Sequence, residues 1–130
     1  MEHSAKSSYI ILQNLEVYKL ARELSKVGWI IYGKLDWQTK KINGDQFIES
    51  TDSVGANIAE GYGRFHFLDK IKFYYNARGS FLECYEHWIE LMFERKMVVK
   101  DDYLSYKDIG QKLSLKLNHF IAANYKAKSQ

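Results

Sequence analysis

The hydrophobic positions of this chain recur at three- and four-residue steps, which is the period of one face of an α-helix. The pattern predicts helices over residues 14–34, from Asp45 to Gly61 or Gly63, and over residues 67–96, with a fourth after a break at residues 98–102. Residues 36–44 lose this period and end in Asn43-Gly44, which indicates a turn. No proline interrupts the helical pattern, whereas a proline would break a helix interior.

Four helices with short connections predict an all-α fold, specifically an antiparallel up-down-up-down four-helix bundle. A chain of 130 residues has room for one domain, which we expect to span residues 1–130. Within it, residues 1–12 and 126–130 are predicted to be flexible tails. Gly61 or Gly63 is expected to end the second helix in a left-handed conformation.

The third helical segment carries two apolar stripes, where the outside of a monomeric bundle needs one. One stripe contains Leu68, Ile71, Tyr75, Leu82, Tyr85, Ile89 and Met92, and the other contains Tyr74, Ala77, Phe81, Cys84, Trp88 and Leu91. Hydrophobic residues make up 46% of the chain, about 60 residues, whereas a bundle with about 90 helical residues needs about 40 inside. The surplus predicts a homo-oligomer.

Composition limits the classes of protein to which the chain can belong. Charged residues make up 27%, which is typical of a folded protein, and no apolar run approaches the roughly 18 residues of a membrane span. The first residues lack the order of a secretory signal, so we expect a cytoplasmic protein with no membrane partner. The single cysteine, Cys84, excludes an internal disulfide and fits a buried hydrophobe better than a nucleophile.

A polar block inside the second helix is the most distinctive feature of the sequence. Asn57 and Glu60 share a helical stripe beside the apolar face, and Arg78 interrupts an apolar stripe of the third helix. Because a buried guanidinium is costly without a partner, we predict a structural polar network of Asn57, Glu60 and Arg78. A small-molecule or catalytic site in the bundle core around these residues is the alternative.

Basic residues concentrate in the second half of the chain. Residues 61–130 carry 12 basic and 8 acidic side chains, and no acidic residue follows Asp108. They form two clusters, and six of their residues are predicted to bind nucleic acid. These are Arg64, Lys70 and Lys72 in the first cluster and Lys112, Lys116 and Lys126 in the second. The alternative is that these lysines only solvate the edges of an apolar helix face and bind no partner, and the sequence leaves it open.

Signals for an enzyme or a metal centre are weak. Glu83, His87, Glu90 and Glu94 share one helix face, but a di-iron bundle needs two Glu-x-x-His helices and two further carboxylates. We therefore predict a solvated acidic face, no metal, no cofactor and no enzymatic activity.

The block Asn57-Ile58-Ala59-Glu60-Gly61 with Arg64, followed by Phe73-Tyr74, Ala77-Arg78-Gly79-Ser80 and Glu83, resembles a bacterial four-helix bundle family. That family was first identified from open reading frames in intervening sequences of large-subunit ribosomal RNA genes. The resemblance covers residues 12–125 and implies a homopentameric ring without established enzymatic activity. It extends distantly to the accessory variability proteins of diversity-generating retroelements, basic pentameric barrels that bind nucleic acid and a reverse transcriptase.

Together these observations predict a non-enzymatic homo-oligomer, a pentamer on the family resemblance, that binds RNA or DNA through its basic surface and presents it to a partner protein. In a five-membered ring a formal charge of +3 per chain becomes about +15, enough to concentrate an anionic polymer. The alternatives are a protein–protein scaffold without nucleic-acid binding and a small-molecule site in the bundle core.

Overall fold

A computed structural model describes residues 10–129, and it confirms the all-α four-helix bundle. The four long helices are α1 (Glu16–Gly33), α2 (Asp45–Tyr62), α3 and α4 (Lys100–Ser129). Helix α3 consists of Phe67–Leu82, a π-helical segment Glu83–Trp88 and the final part Ile89–Glu94. A short 3-10 turn, Leu12–Asn14, precedes α1.

The connection between α1 and α2 is helical, so the turn predicted in residues 36–44 is wrong. Trp37–Thr39 is α-helical and Lys40–Gly44 is π-helical, and both lead directly into α2. Asp36 caps this segment by accepting a 2.8 Å hydrogen bond from the Thr39 N–H, which lowers the pKa of its carboxyl. Gly44 serves close packing rather than a turn, because a Cβ there would lie 2.7 Å from Leu35 Cδ1.

Helix α3 buries one mixed face rather than two separate stripes. The residues buried on it are Ile71, Tyr74, Ala77, Phe81, Cys84, Ile89 and Met92. The step from Cys84 to Ile89 is five residues because the π-helical segment adds one residue to that turn. Three members of the first predicted stripe, Leu68, Tyr75 and Leu82, remain exposed.

Both glycines expected to end α2 in a left-handed conformation have negative φ, so that prediction is wrong. Gly61 instead lets α3 approach, because a Cβ there would lie 2.7 Å from Tyr74 Cε1. Among the described residues only Lys96 combines a side chain with a positive φ, of 60°, where α3 ends.

The predicted C-terminal tail, residues 126–130, overlaps the end of α4, which continues to Ser129, and residue 130 lies outside the described residues; the flexibility of this segment stays a prediction. No glycine or proline stops the helix there, and Lys126 and Lys128 favour the negative end of its dipole. The N-terminal tail prediction falls largely on residues 1–9, which lie outside the described residues.

Each helix packs against its neighbours in sequence, and α1 also packs against α4. Lys34, directly after the end of α1, bonds Asp102 near the start of α4 at 2.8 Å. Tyr32 near the end of α1 bonds Asp45 at the start of α2 at 2.6 Å. Such contacts are those expected of antiparallel neighbours. Helices α1 and α3 consequently lie diagonally across the bundle. Searched over the described part of the chain, no helix is both long enough and apolar enough to cross a membrane.

Candidate nucleic-acid interface

The turn between α2 and α3 gathers cations around exposed aromatic rings. Phe65 is 90% exposed, and its ring meets His66 edge to face with centroids 5.2 Å apart. The Arg64 guanidinium lies 4.9 Å from the centroid of the Phe73 ring, and Lys72 Nζ lies 5.7 Å from the same centroid. Arg64 also pairs with Glu60, one turn earlier on α2. The turn therefore presents two positive groups over the half-buried Phe73 ring, and the exposed Phe65 follows Arg64 directly in the chain.

The end of α4 joins this turn. Lys128 Nζ lies 5.2 Å from the centroid of the Phe67 ring, and Tyr125 packs edge to face on Phe67 at 5.3 Å. Because Phe67 begins α3, these contacts bring the last turns of α4 next to Arg64 and its neighbours. Two basic clusters that are about 60 residues apart in the sequence thus meet at one end of the bundle. We call this surface the basic end, defined by Arg64, His66, Lys72, Lys126 and Lys128.

Lys70 belongs to the same region, but its ammonium group is already engaged. Its Nζ donates a 3.2 Å hydrogen bond to the Tyr62 carbonyl at the end of α2 and lies 5.6 Å from the centroid of the Tyr62 ring. Partial burial lowers the pKa of Lys70. This lysine helps to hold the α2–α3 turn in place and is less accessible to a phosphate than Lys72.

Lys112 and Lys116 lie outside the basic end, so the structure does not gather the six predicted residues into one site. Fourteen residues of helix separate Lys112 from Lys126, which is about 21 Å along the axis. Lys112 pairs with Asp108 at 3.5 Å, and Lys116 lies 4.0 Å from Glu16 of α1. Both cations have a carboxylate neighbour, and both lie in the middle part of α4.

The predicted network of Asn57, Glu60 and Arg78 does not form. Asn57 Nδ2 donates to the backbone and side-chain oxygens of Ser53, both at 2.9 Å, while Glu60 pairs with Arg64. Arg78 is half-buried on the side of α3 that faces α4, where its guanidinium lies over the Tyr75 ring at 4.9 Å and reaches Asn118 Oδ1 at 3.5 Å. An aromatic face and an amide therefore satisfy Arg78, and the structure does not bring these three residues together.

The buried polar contact of the core joins α2 to α4 instead. Thr51 Oγ1 and the Tyr106 hydroxyl lie 2.7 Å apart, and both residues are 0% exposed. The sequence pattern predicts both positions as buried but does not show that they meet. Cys84 lies in the same buried region, and burial raises the pKa of its thiol to about 11. The thiol is therefore neutral at physiological pH, as a packing residue would be.

Two glutamates of the acidic face of α3 have hydrogen-bond partners, Glu83 within α3 and Glu90 on α4. Glu83 accepts a 3.0 Å hydrogen bond from Trp88 Nε1, and Glu90 accepts from Tyr103 at 2.7 Å and pairs with Lys107 at 2.7 Å. Over residues 10–129, no group of three or more His, Cys, Asp or Glu residues is placed to hold a metal ion.

With this geometry in place, comparison with known proteins gives the family. The model of the 23S rRNA-intervening sequence protein family matches residues 13–119. The chain belongs to that family. The match confirms the resemblance predicted from the polar block of α2 and the Gly79-Ser80 pair of α3.

A solved structure supports the fold of this intervening-sequence protein. It is the crystal structure of a protein of unknown function from the S23 ribosomal protein family of Bacteroides thetaiotaomicron, 23% identical in sequence. The similarity covers 86% of this chain and 99% of that one, with a TM-score of 0.75. A search of curated proteins finds no match. Neither the family description nor the description of the solved structure names an enzymatic reaction.

Proposed function

We propose that this intervening-sequence protein is a non-enzymatic, cytoplasmic homo-oligomer, a pentamer on the family resemblance, that binds RNA or DNA through the basic end. The observation that carries the proposal is the convergence of the α2–α3 turn and the last turns of α4, which Phe67 joins through Tyr125 and Lys128. Neither cluster alone holds more than a few cations. Together they form one positive surface around an accessible aromatic ring.

The balance of charge at this end favours an anionic polymer. Arg64, Lys72, Lys126 and Lys128 of the basic end, with Lys70 beside them, supply five cations, whereas Glu60 and Asp69 are the acidic side chains on the neighbouring turns. Contacts from lysine and arginine to phosphates bring affinity without reading sequence, since the phosphates are the same in every sequence. An exposed ring such as Phe65 provides a surface on which an unpaired base can stack.

Fluorescence anisotropy with labelled single-stranded RNA and DNA at 50 and 200 mM salt tests the proposal. A variant with Arg64→Gln, Lys72→Gln and Lys128→Gln is compared with Lys19→Gln, Lys112→Gln and Lys116→Gln, which removes the same charge away from the basic end. We expect the first variant to lose at least tenfold in affinity and the control to lose less than threefold. The slope of log affinity against log salt should also become shallower, by about 0.7 to 0.9 for each phosphate that the first variant no longer neutralises.

Two results would contradict the proposal. If the wild-type protein binds neither RNA nor DNA at 50 mM salt, nucleic-acid binding is rejected. If the control variant loses affinity and the first variant does not, the interface lies at the middle of α4 rather than at the basic end.

A protein–protein scaffold is the second candidate, and one observation favours it. Trp29 is 62% exposed and Ile30 is 54% exposed on α1, beside a surface groove between α1 and α2. Large exposed apolar groups next to a groove are typical of surfaces that contact another protein.

A further inference from the structure

The groove between α1 and α2 has the dimensions of a binding site for another helix. Its volume is about 680 Å³, and its floor is formed by the small residues Gly55, Ala56 and Ala59 of α2. Trp29 and Ile30 form an apolar wall at one end. Arg22 and Lys26 place two cations along the groove, against one carboxylate, Asp52. An amphipathic helix with an acidic part fits such a surface.

The outer face of α3 has the complementary properties. Leu68, Tyr75 and Leu82 follow each other at seven-residue steps on this face and are 73%, 40% and 51% exposed, and Tyr75 lies at the border with α4, where its hydroxyl donates to Tyr125. Gly79 lies between Tyr75 and Leu82, and a Cβ built on it would meet no atom within 4 Å, so another helix can approach closely there. Beyond Gly79 the rest of α3 carries four glutamates and no lysine or arginine.

The two surfaces point in different directions on the same molecule. Helices α1 and α3 lie diagonally across the bundle, so α3 cannot enter the groove of its own chain. A contact between two different surfaces is heterologous: each copy uses its α3 face toward one neighbour and its groove toward another. Repetition of such a contact closes into a ring when the rotation between copies permits.

We infer that the outer face of α3, centred on Leu82 and Glu86, docks into the α1–α2 groove of a second copy of this chain. The inference rests on the homo-oligomer of the proposed function and names the surfaces that build it. Complementary charge supports this occupant, because Glu86, which is exposed one turn after Leu82, would meet Arg22 and Lys26, whereas Glu90 already pairs with Lys107 of its own chain. Small residues on both sides, Gly79 on the helix and the exposed Ala56 in the groove, allow close contact.

Two single substitutions, each blocking one surface, provide the test. Leu82→Glu places a charge on the α3 face, and Ala56→Trp fills the floor of the groove. Leu104→Glu is the control for Leu82→Glu, since Leu104 on α4 is 50% exposed and lies off both surfaces. Light scattering coupled to size exclusion gives the mass of each protein, and circular dichroism checks that each is folded.

We expect the wild-type protein and Leu104→Glu to be oligomers, and Leu82→Glu and Ala56→Trp to be monomers. An equimolar mixture of the two monomeric variants should form a one-to-one dimer, because Leu82→Glu retains a groove and Ala56→Trp retains an α3 face. Such a dimer cannot grow further. If both variants keep the oligomeric mass of the wild-type protein, the protein is an oligomer but the α3 face and the α1–α2 groove do not form its interface. If the wild-type protein is a monomer, the homo-oligomer of the proposed function is rejected. The measurement of nucleic-acid binding does not depend on that result.

A charge exchange keeps the inference testable if Ala56→Trp fails to fold. Lys26→Glu and Glu86→Lys each place like charges across the proposed contact and should weaken association at least fivefold. The double variant restores opposite charges and should recover most of the wild-type association. Additive losses in the double variant would overturn the placement of Glu86 against Lys26.

Discussion

Replacing Gly61 by alanine tests whether close contact between α2 and α3 determines the stability of the bundle. In an open helix, this change stabilises the protein by about 0.4 to 1 kcal/mol, because alanine has less freedom to lose in the unfolded chain. At Gly61 the added Cβ would lie 2.7 Å from Tyr74 Cε1, 2.9 Å from Tyr74 Cδ1 and 3.0 Å from Phe73 Cβ. The Tyr74 ring is 1% exposed and has little room to move aside.

Overpacking of this kind costs about 1 to 3 kcal/mol, which exceeds the gain in helix propensity. We therefore expect Gly61→Ala to lower the free energy of unfolding by about 1 kcal/mol, which corresponds to a fall of about 4 °C in Tm. The matched control is Gly33→Ala at the end of α1, where an added Cβ meets nothing within 4 Å. This control should be more stable than the wild-type protein by about 0.4 to 1 kcal/mol.

Urea unfolding followed by circular dichroism measures both variants, at one protein concentration because association adds to stability. The informative result is the difference in sign between the two substitutions. If Gly61→Ala is as stable as Gly33→Ala, the contact between Gly61 and the Tyr74 ring does not limit the approach of α3, and the packing argument fails.

Three further predictions concern the core, the end of α3 and alkaline pH. Thr51→Val should cost about 1 kcal/mol, because the Tyr106 hydroxyl loses its bond to Thr51 and keeps only the weaker Cys84 thiol as a partner, and the double variant with Tyr106→Phe should recover part of this loss in urea unfolding. Lys96→Gly should raise Tm by a few degrees, because glycine adopts a φ of 60° without the penalty of about 1 kcal/mol that a side chain incurs; an unchanged Tm would contradict this. Burial raises the pKa of Tyr74 to about 12, and burial with the hydrogen bond to Glu90 does the same for Tyr103. The contribution of these tyrosines to the free energy of unfolding is therefore complete below pH 10 and is lost between pH 10 and 12. The free energy of unfolding should be lower at pH 11 than at pH 9, and this difference should be smaller in Tyr74→Phe.

The helices themselves could be predicted from the sequence because their apolar period is strong. The predicted bounds of α1, residues 14–34, differ by one or two residues from Glu16–Gly33. The segment before α2 was mispredicted because Asn43-Gly44 is a common turn pair. In the folded chain Asn43 is buried and accepts a 3.4 Å hydrogen bond from Arg95, and Gly44 admits Leu35. Those contacts come from residues distant in sequence, which the local pattern does not contain.

The candidate site shows the same division between local pattern and tertiary contact. The cluster around Arg64 is visible in the sequence because its members are consecutive, and Lys126 is visible as part of a run of lysines. Their meeting through Phe67 depends on how α3 and α4 pack, which no spacing rule gives. The partners of Arg78 were missed for a similar reason, since the Tyr75 ring and Asn118 lie near it only in the bundle.

The π-helical turn at Glu83–Trp88 affects how this helix is compared across relatives. It contains one residue more than a regular turn would, so the core positions before it and after it follow different counts from Phe67. A relative whose third helix is regular throughout needs a one-residue gap in this turn when the two sequences are aligned. Without that gap, Ile89 and Met92 would be matched to solvent-facing positions of the relative, although their counterparts are buried.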